Sequence, residues 1–262
     1  MADAHAEKEL VIFGLGHHGR METVRRTERP SSELYKQRAF AKYAEAGFNE
    51  LDVKGFGNDV PVIKGKYDGR KIGFCAIPYG LSYSWAMTEA LKTAKAAVGI
   101  GFCGAVREDI KPETIILARE AAISSVATPN PSWKEKLTWG KSDKILTDAI
   151  ANKIRKAGYE TVEGKILSYI NTAYGNEEFF RQAQENGFLG VEMETASLFQ
   201  TANFEGVPVA AILIVSDNAR EKSPYKSKKH FVDLVHELED KGEQVKMEDI
   251  ARNALLEVFK GK

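Results

Sequence analysis

The feature that most constrains this chain is the stretch from Val207 to Val215, apolar throughout and ending at Ser216-Asp217-Asn218. A strand with one wet face would alternate apolar and polar residues. The absence of alternation predicts a strand covered on both faces. The run is about half of the roughly 20 residues that a membrane helix needs, so no membrane span is expected. A strand buried on both sides requires helices above and below it, and the rest of the chain supplies them. Short β-rich runs occur at 9–13, 60–63, 71–77, 97–102, 114–118, 163–169 and 207–216. Segments with helical spacing lie at 32–46, 83–95, 144–157, 176–186, 192–205, 229–238 and 247–260. This order predicts an α/β fold, a three-layer α/β/α sandwich around a central mixed sheet, as one domain over 1–262. Tyr67-Asp68-Gly69 between two strand-like runs reads as a hairpin turn, which makes part of the sheet antiparallel.

Composition excludes several function classes. The 262 residues carry 37 Lys+Arg against 37 Asp+Glu, so the basic excess usual for binding a nucleic acid polymer is missing. A local basic pocket for one small anion remains compatible with that balance. Two cysteines, Cys75 and Cys103, provide neither a disulfide framework nor a four-ligand zinc site, and the expected setting is the cytoplasm. The first ten residues are too charged for a signal peptide. No metal or organic cofactor is expected.

In α/β folds, ligands gather at the carboxyl ends of strands, which here directs attention to 14–20, 78–84, 101–105 and 216–220. Gly14-Leu15-Gly16-His17-His18-Gly19 spells GxGxxG, a dinucleotide fingerprint when its context agrees. The context does not agree: Pro30 interrupts the following segment, and the next strand candidate ends near Asp52, too far along. A glycine-rich loop for a smaller anion, with Arg20 behind it, fits better. Read from this loop alone, a tight turn with a surface arginine is the simpler account.

Two further segments carry the function. Gly190-Val191-Glu192-Met193-Glu194-Thr195-Ala196 reads as a helix start, and the apolar run 207–215 then ends in Ser216-Asp217. Together they resemble the nucleoside phosphorylase family, which includes bacterial-type purine nucleoside phosphorylases, uridine phosphorylases and the related nucleosidases. Gly101-Phe102-Cys103-Gly104-Ala105-Val106 is similar to the central glycine-rich turn of that family. The resemblance runs from about Leu10 to Asn218 and implies an enzyme that cleaves the N-glycosidic bond of a ribonucleoside.

Such a reaction must hold the ribose, neutralise the departing base and deliver a nucleophile to C1′. The resemblance assigns the ribose to Glu194, whose carboxylate can accept from two vicinal hydroxyls, with Met193 as an apolar floor beneath the sugar. Glu192 is grouped with them as a ribose candidate, and in a helix it would point away from Glu194. Without the motif, both acids would read as ordinary first-turn residues favoured by the helix dipole. Asp217 is the expected acid, placed past an apolar strand where desolvation would raise its pKa for protonating a purine N7. Its simpler reading is a strand-end Asp that caps a turn. Ser216 and Tyr174 are the base-binding candidates. No Gln-x-Arg pattern of the uridine enzymes appears around 169–180, so a purine is favoured.

The nucleophile site departs from the family pattern. Gly16 and Arg20 remain as phosphate contacts, with His17 and Phe102 in the same site. A second family arginine is replaced by Gly99, a phosphate-binding Ser or Thr by Phe102, and an arginine lent by a neighbouring subunit by Asn58. Each missing donor should cost about 1.5–3 kcal/mol of phosphate binding. Phosphorolysis with inorganic phosphate as co-substrate is the favoured expectation, with Arg107, His17 or His18 as replacement donors. Hydrolysis is the alternative, although the nearest acid, Glu22, lies beyond Arg20. A silent nucleoside-binding protein is the third reading. The expected partners are a small nucleoside and other copies of the chain, as a dimer or hexamer. Lys222, Lys226, Lys228, Lys229 and Arg220 form a basic stretch, and His230 stands where purine members have an arginine that assists the acid.

Overall fold

The computed structural model describes residues 8–15, 43–56, 60–77, 84–124, 137–169, 177–219, 238 and 241–260. Its strands are β1 (Glu9–Leu15), β2 (Asn49–Phe56), β3 (Val60–Tyr67), β4 (Arg70–Ile77), β5 (Ala94–Ala105), β6 (Ile115–Ser124), β7 (Leu137–Lys141), β8 (Thr161–Ser168), β9 (Phe188–Glu192) and β10 (Val209–Asn218). Its helices are α1 (Ser84–Lys92), α2 (Lys144–Lys156), α3 (Glu177–Glu185), α4 (Thr195–Phe204) and α5 (Glu243–Val258). Among the described residues no helix is long and apolar enough to cross a membrane.

The strands form one mixed sheet, and β5 is its hub. It pairs in parallel with β1 along Ala94–Ile100 and with β10 along its other edge. Where β1 stops, β9 takes the vacated edge of β5 and pairs antiparallel at Gly104 and Ala105. Because β10 also pairs with β6, and β6 with β8, and β8 with β9, these strands close a ring. From β1 the sheet continues through β4 and β3 to β2 at the edge. The β3–β4 hairpin turns at Asp68 and Gly69, both with positive φ, as a two-residue primed turn requires.

Side chains that alternate along β1, β5 and β10 feed two cores. Val11, Phe13, Cys103, Leu213 and Val215 pack with Met87 and Leu91 of α1 and Leu198 and Phe199 of α4. Leu10, Ile12, Ile100, Ile212 and Ile214 pack with Ile150 and Ile154 of α2 and Met247 and Leu255 of α5. Helices therefore cover both faces of the central strands, as the unalternating run 207–215 requires. A third cluster seats Phe179 and Phe180 of α3 against Leu167, Tyr169 and Val191.

Helix α2 begins where its sequence says it should. The Asp143 carboxylate accepts the Leu146 N–H at 2.8 Å, and Lys153, Arg155 and Lys156 complement the dipole at the other end. Three strands lie outside the sequence expectation: β2, β7 and β9. Each is short or polar, and pairing with a neighbour rather than its own alternation makes it a strand.

The topology also removes the dinucleotide reading of the first loop. Asp52 sits on β2, which is separated from β1 by β4 and β3, so among the described residues no acidic strand end lies beside the β1 terminus.

Strand β7 rests on α4 through Gly140. A Cβ there would lie 2.5 Å from Phe199 Cβ and 2.7 Å from the Gln200 backbone nitrogen. Gly140→Ala should therefore lower the unfolding free energy by about 1–3 kcal/mol, measured by urea titration.

Candidate active site

The last residues of β5 are where the functional segments meet. On one edge Gly104 pairs with Val191 and Ala105 with Gly190, which brings in the strand that precedes Met193 and Glu194. On the other edge Gly104 pairs with Asp217 and Ala105 with Asn218. Buried Cys103 registers both arrivals: after burial itself, the charges of Glu192 and Asp217 push its thiol pKa further up. Strand β1 also ends here, with Gly14 opposite Ile100. Gly16, His17, His18 and Arg20 themselves lie outside the described residues, as do Tyr174, Glu22, Asn58, Arg220 and His230.

The Val-Glu-Met-Glu segment differs from the helix start expected of it. Phe188–Glu192 is strand β9, Glu194 is the N-cap, and the helix proper begins at Thr195. The opposite orientation of the two acids, argued from helical spacing, is therefore replaced by a strand end followed by a turn. Glu192 is 4% exposed and its carboxylate is committed inside the protein. Its Oε2 accepts the backbone N–H groups of Glu194 at 2.7 Å and Thr195 at 2.8 Å, and its Oε1 accepts the Ser168 hydroxyl. Glu192 thereby does the capping normally done by the N-cap side chain. The Glu194 side chain makes no capping hydrogen bond to its own helix and is likewise 4% exposed. Met193 between them is half-buried.

Asp217 is placed by a bulge. Val215 pairs with Cys103 and Asp217 with Gly104, so Ser216 is the extra residue on β10. Such an insertion re-aims the side chains around it. The buried Ser216 hydroxyl lies 2.6 Å from Asp217 Oδ1 and 3.2 Å from the Cys103 carbonyl oxygen. It has one proton to donate, and the shorter contact is to the Asp217 carboxyl oxygen. Asn218 Nδ2 donates to the Arg107 carbonyl at 3.0 Å, tying the strand end to the turn after β5.

Gly99 and Phe102, two positions where the resemblance expects phosphate donors, are packed against apolar side chains. A Cβ on Gly99 would lie 2.7 Å from Leu198 Cδ2 and 2.8 Å from Leu15 Cδ1, so leucines close the space around this position. Phe102 is half-buried against the core that contains Ile12, Ile100 and Ile214. The Arg107 guanidinium is paired with Asp109, with Nε donating to Oδ1 at 2.8 Å. Tyr169 is fully buried with its ring 4.5 Å from that of Phe179, so it packs the core. Among the described residues no group of His, Cys, Asp and Glu could hold a metal ion.

The family model of the phosphorylase superfamily matches residues 35–248. The chain belongs to this superfamily. A DeoD-type purine nucleoside phosphorylase from Caldanaerobacter subterraneus is 30% identical over 177 residues, 65% of this chain and 76% of that protein. Another, from Shewanella amazonensis, is 28% identical over 159 residues, 60% of this chain and 67% of that protein. The chain thus spans about two thirds of such relatives. In fold, the futalosine hydrolase of Helicobacter pylori superposes with a TM-score of 0.70 at 17% identity, covering 94% of this chain and 98% of that one. The superfamily assignment agrees with the motifs at 190–196 and 216–217. Sequence reasoning had no signal for Ser168, whose role depends on the partner across the β8–β9 pairing.

The capping carboxylate has a consequence for stability. Burial is the largest influence on Glu192 and raises its pKa above the ordinary 4.5, against the lowering effect of its hydrogen-bond donors. As pH rises above 4.5 the unfolded chain gives up this proton first, so the folded state loses stability through that window. Urea unfolding from about pH 5 to about pH 8 should show this loss in the wild type and a flatter profile in Glu192→Gln.

Proposed function

We propose that this chain cleaves the N-glycosidic bond of a purine ribonucleoside, by phosphorolysis to the free base and ribose 1-phosphate. The observation that carries the reading is that β9, which leads into Glu194, and β10, which bears Asp217, pair with opposite edges of the same two β5 residues, Gly104 and Ala105. A ribose carboxylate and a base-side acid must flank one C1′ atom, and this pairing sets their two segments on either side of one strand end. In this reading Glu194 accepts the ribose hydroxyls, Met193 lies under the sugar, and Asp217 protonates or hydrogen-bonds the departing purine. Ser216 orients Asp217, and Glu192 holds the turn that bears Glu194. Gly16, Arg20, His17 and Phe102 are assigned to the phosphate side, and Tyr174 to the base.

Kinship with DeoD-type purine nucleoside phosphorylases supports phosphate as the acceptor. The reading extends to a dimer or hexamer in the cytoplasm that requires no organic cofactor. Hydrolysis is favoured by one specific observation, the leucine packing that occupies the space at Gly99. Water needs no cluster of cations, whereas phosphate needs several charged donors.

The test is incubation with adenosine, inosine, guanosine and uridine, with and without phosphate, followed by product analysis. Ribose 1-phosphate formed only with phosphate is the expected result. Free ribose formed regardless of phosphate would transfer the assignment to hydrolysis, and turnover of uridine alone would overturn the purine assignment. Asp217→Ala should lower kcat by about 10²–10⁴-fold, and full activity in this variant would remove Asp217 as the acid. Glu194→Ala should lower kcat/KM for the ribonucleoside by roughly 10–100-fold.

A further inference from the structure

We infer that Ser168 is a positioning residue for the ribose-binding carboxylate, acting through Glu192; the inference rests on the assignment of Glu194 to the ribose. Ser168 is the last residue of β8, lies opposite Glu192 in the β8–β9 pairing, and is 0% exposed. Its hydroxyl donates its one proton to Glu192 Oε1 and accepts the backbone N–H of Ala196 at 2.8 Å. Glu192 Oε2 accepts the N–H groups of Glu194 and Thr195. The serine and the glutamate together therefore bind the backbone N–H groups of Glu194, Thr195 and Ala196. These are the N-cap and the first two residues of α4. The Tyr169 N–H donates to the Glu192 carbonyl at 2.7 Å, which pins the same register from the backbone side.

The consequence is geometric. Met193 and Glu194 form a short turn whose beginning is fixed by β9 and whose end is fixed by this buried pair. The Glu194 side chain is relieved of capping its own helix because Glu192 takes that task. Removing the serine hydroxyl leaves the Ala196 N–H without its acceptor and Glu192 Oε1 without its donor, both in the interior. The glutamate can then rotate, and the turn that sets Glu194 loses one of its two anchors. A small displacement of a group that holds substrate is sufficient to reduce turnover by large factors.

The experiment compares wild type, Ser168→Ala, Ser168→Cys and Glu194→Ala on a purine ribonucleoside and on its 2′,3′-dideoxy counterpart, with unfolding curves for each protein. The cysteine variant keeps nearly the same volume while donating poorly, which separates hydrogen bonding from packing. Both Ser168 variants should lower kcat/KM for the ribonucleoside by roughly tenfold or more and leave that for the dideoxy compound within about twofold. Equal losses on the two substrates would make Ser168 a merely structural residue and overturn the inference, as would failure of both Ser168 variants to fold. If Glu194→Ala erases the preference for the hydroxylated sugar and the Ser168 variants keep it, the inference alone fails. If Glu194→Ala also keeps that preference, the assignment of Glu194 itself fails.

Discussion

Strand β5 is the constraint on which the rest of the molecule depends. It has partners along both edges and helices over both faces, and it changes partner partway along its length from β1 to β9. That change opens the sheet at one point. Up to Ile100 the strand is ordinary parallel sheet between β1 and β10; beyond it β9 enters antiparallel and closes the ring through β8, β6 and β10. The ends of β1, β9 and β10 consequently fall around Gly101–Ala105. In α/β folds such strand ends and switch points are where binding residues collect.

Around that terminus, hydrogen bonds hold two carboxylates, the buried Glu192 and the half-buried Asp217. Glu192 binds two backbone N–H groups and a serine hydroxyl, and the Ser216 hydroxyl lies against Asp217. Buried carboxylates are expensive to desolvate, and the elevated pKa of Glu192 expresses that expense. The fixed donors around Glu192 offset part of it and hold the turn rigid. Packing at two other positions is apolar, with Leu15 and Leu198 filling the space at Gly99 and Phe102 resting on the core.

Much of the fold was legible in the sequence because its strongest signals are local. The apolar run at 207–215, the helical spacing at 144–157 and the Tyr67-Asp68-Gly69 turn each report a burial pattern or a backbone geometry that a few neighbouring residues dictate. Strands β2, β7 and β9 were not legible, since their conformation comes from the strand alongside. The helix-start reading at Glu192 erred for the same reason. Glu192 to Ala196 contains a plausible first turn, but parallel pairing with β8, where Ser168 lies opposite Glu192, extends the strand through Glu192 and delays the helix to Thr195.

The candidate site divides along the same line. The sequence by itself determined which residue types are present: a Glu-Met-Glu turn, a Ser-Asp strand end, a glycine-rich β5 terminus, and a chain with 37 cationic and 37 anionic side chains. Only the tertiary structure decided their duties. It placed a bulge at Ser216 ahead of Asp217, turned Glu192 inward as a cap, and recruited Ser168 from another strand to hold it. These decisions depend on contacts between segments far apart in the chain, such as Ser168 with Glu192 and Cys103 with Ser216. A carboxylate's role is set by which donors reach it in the interior, and that is a property of packing rather than of sequence order.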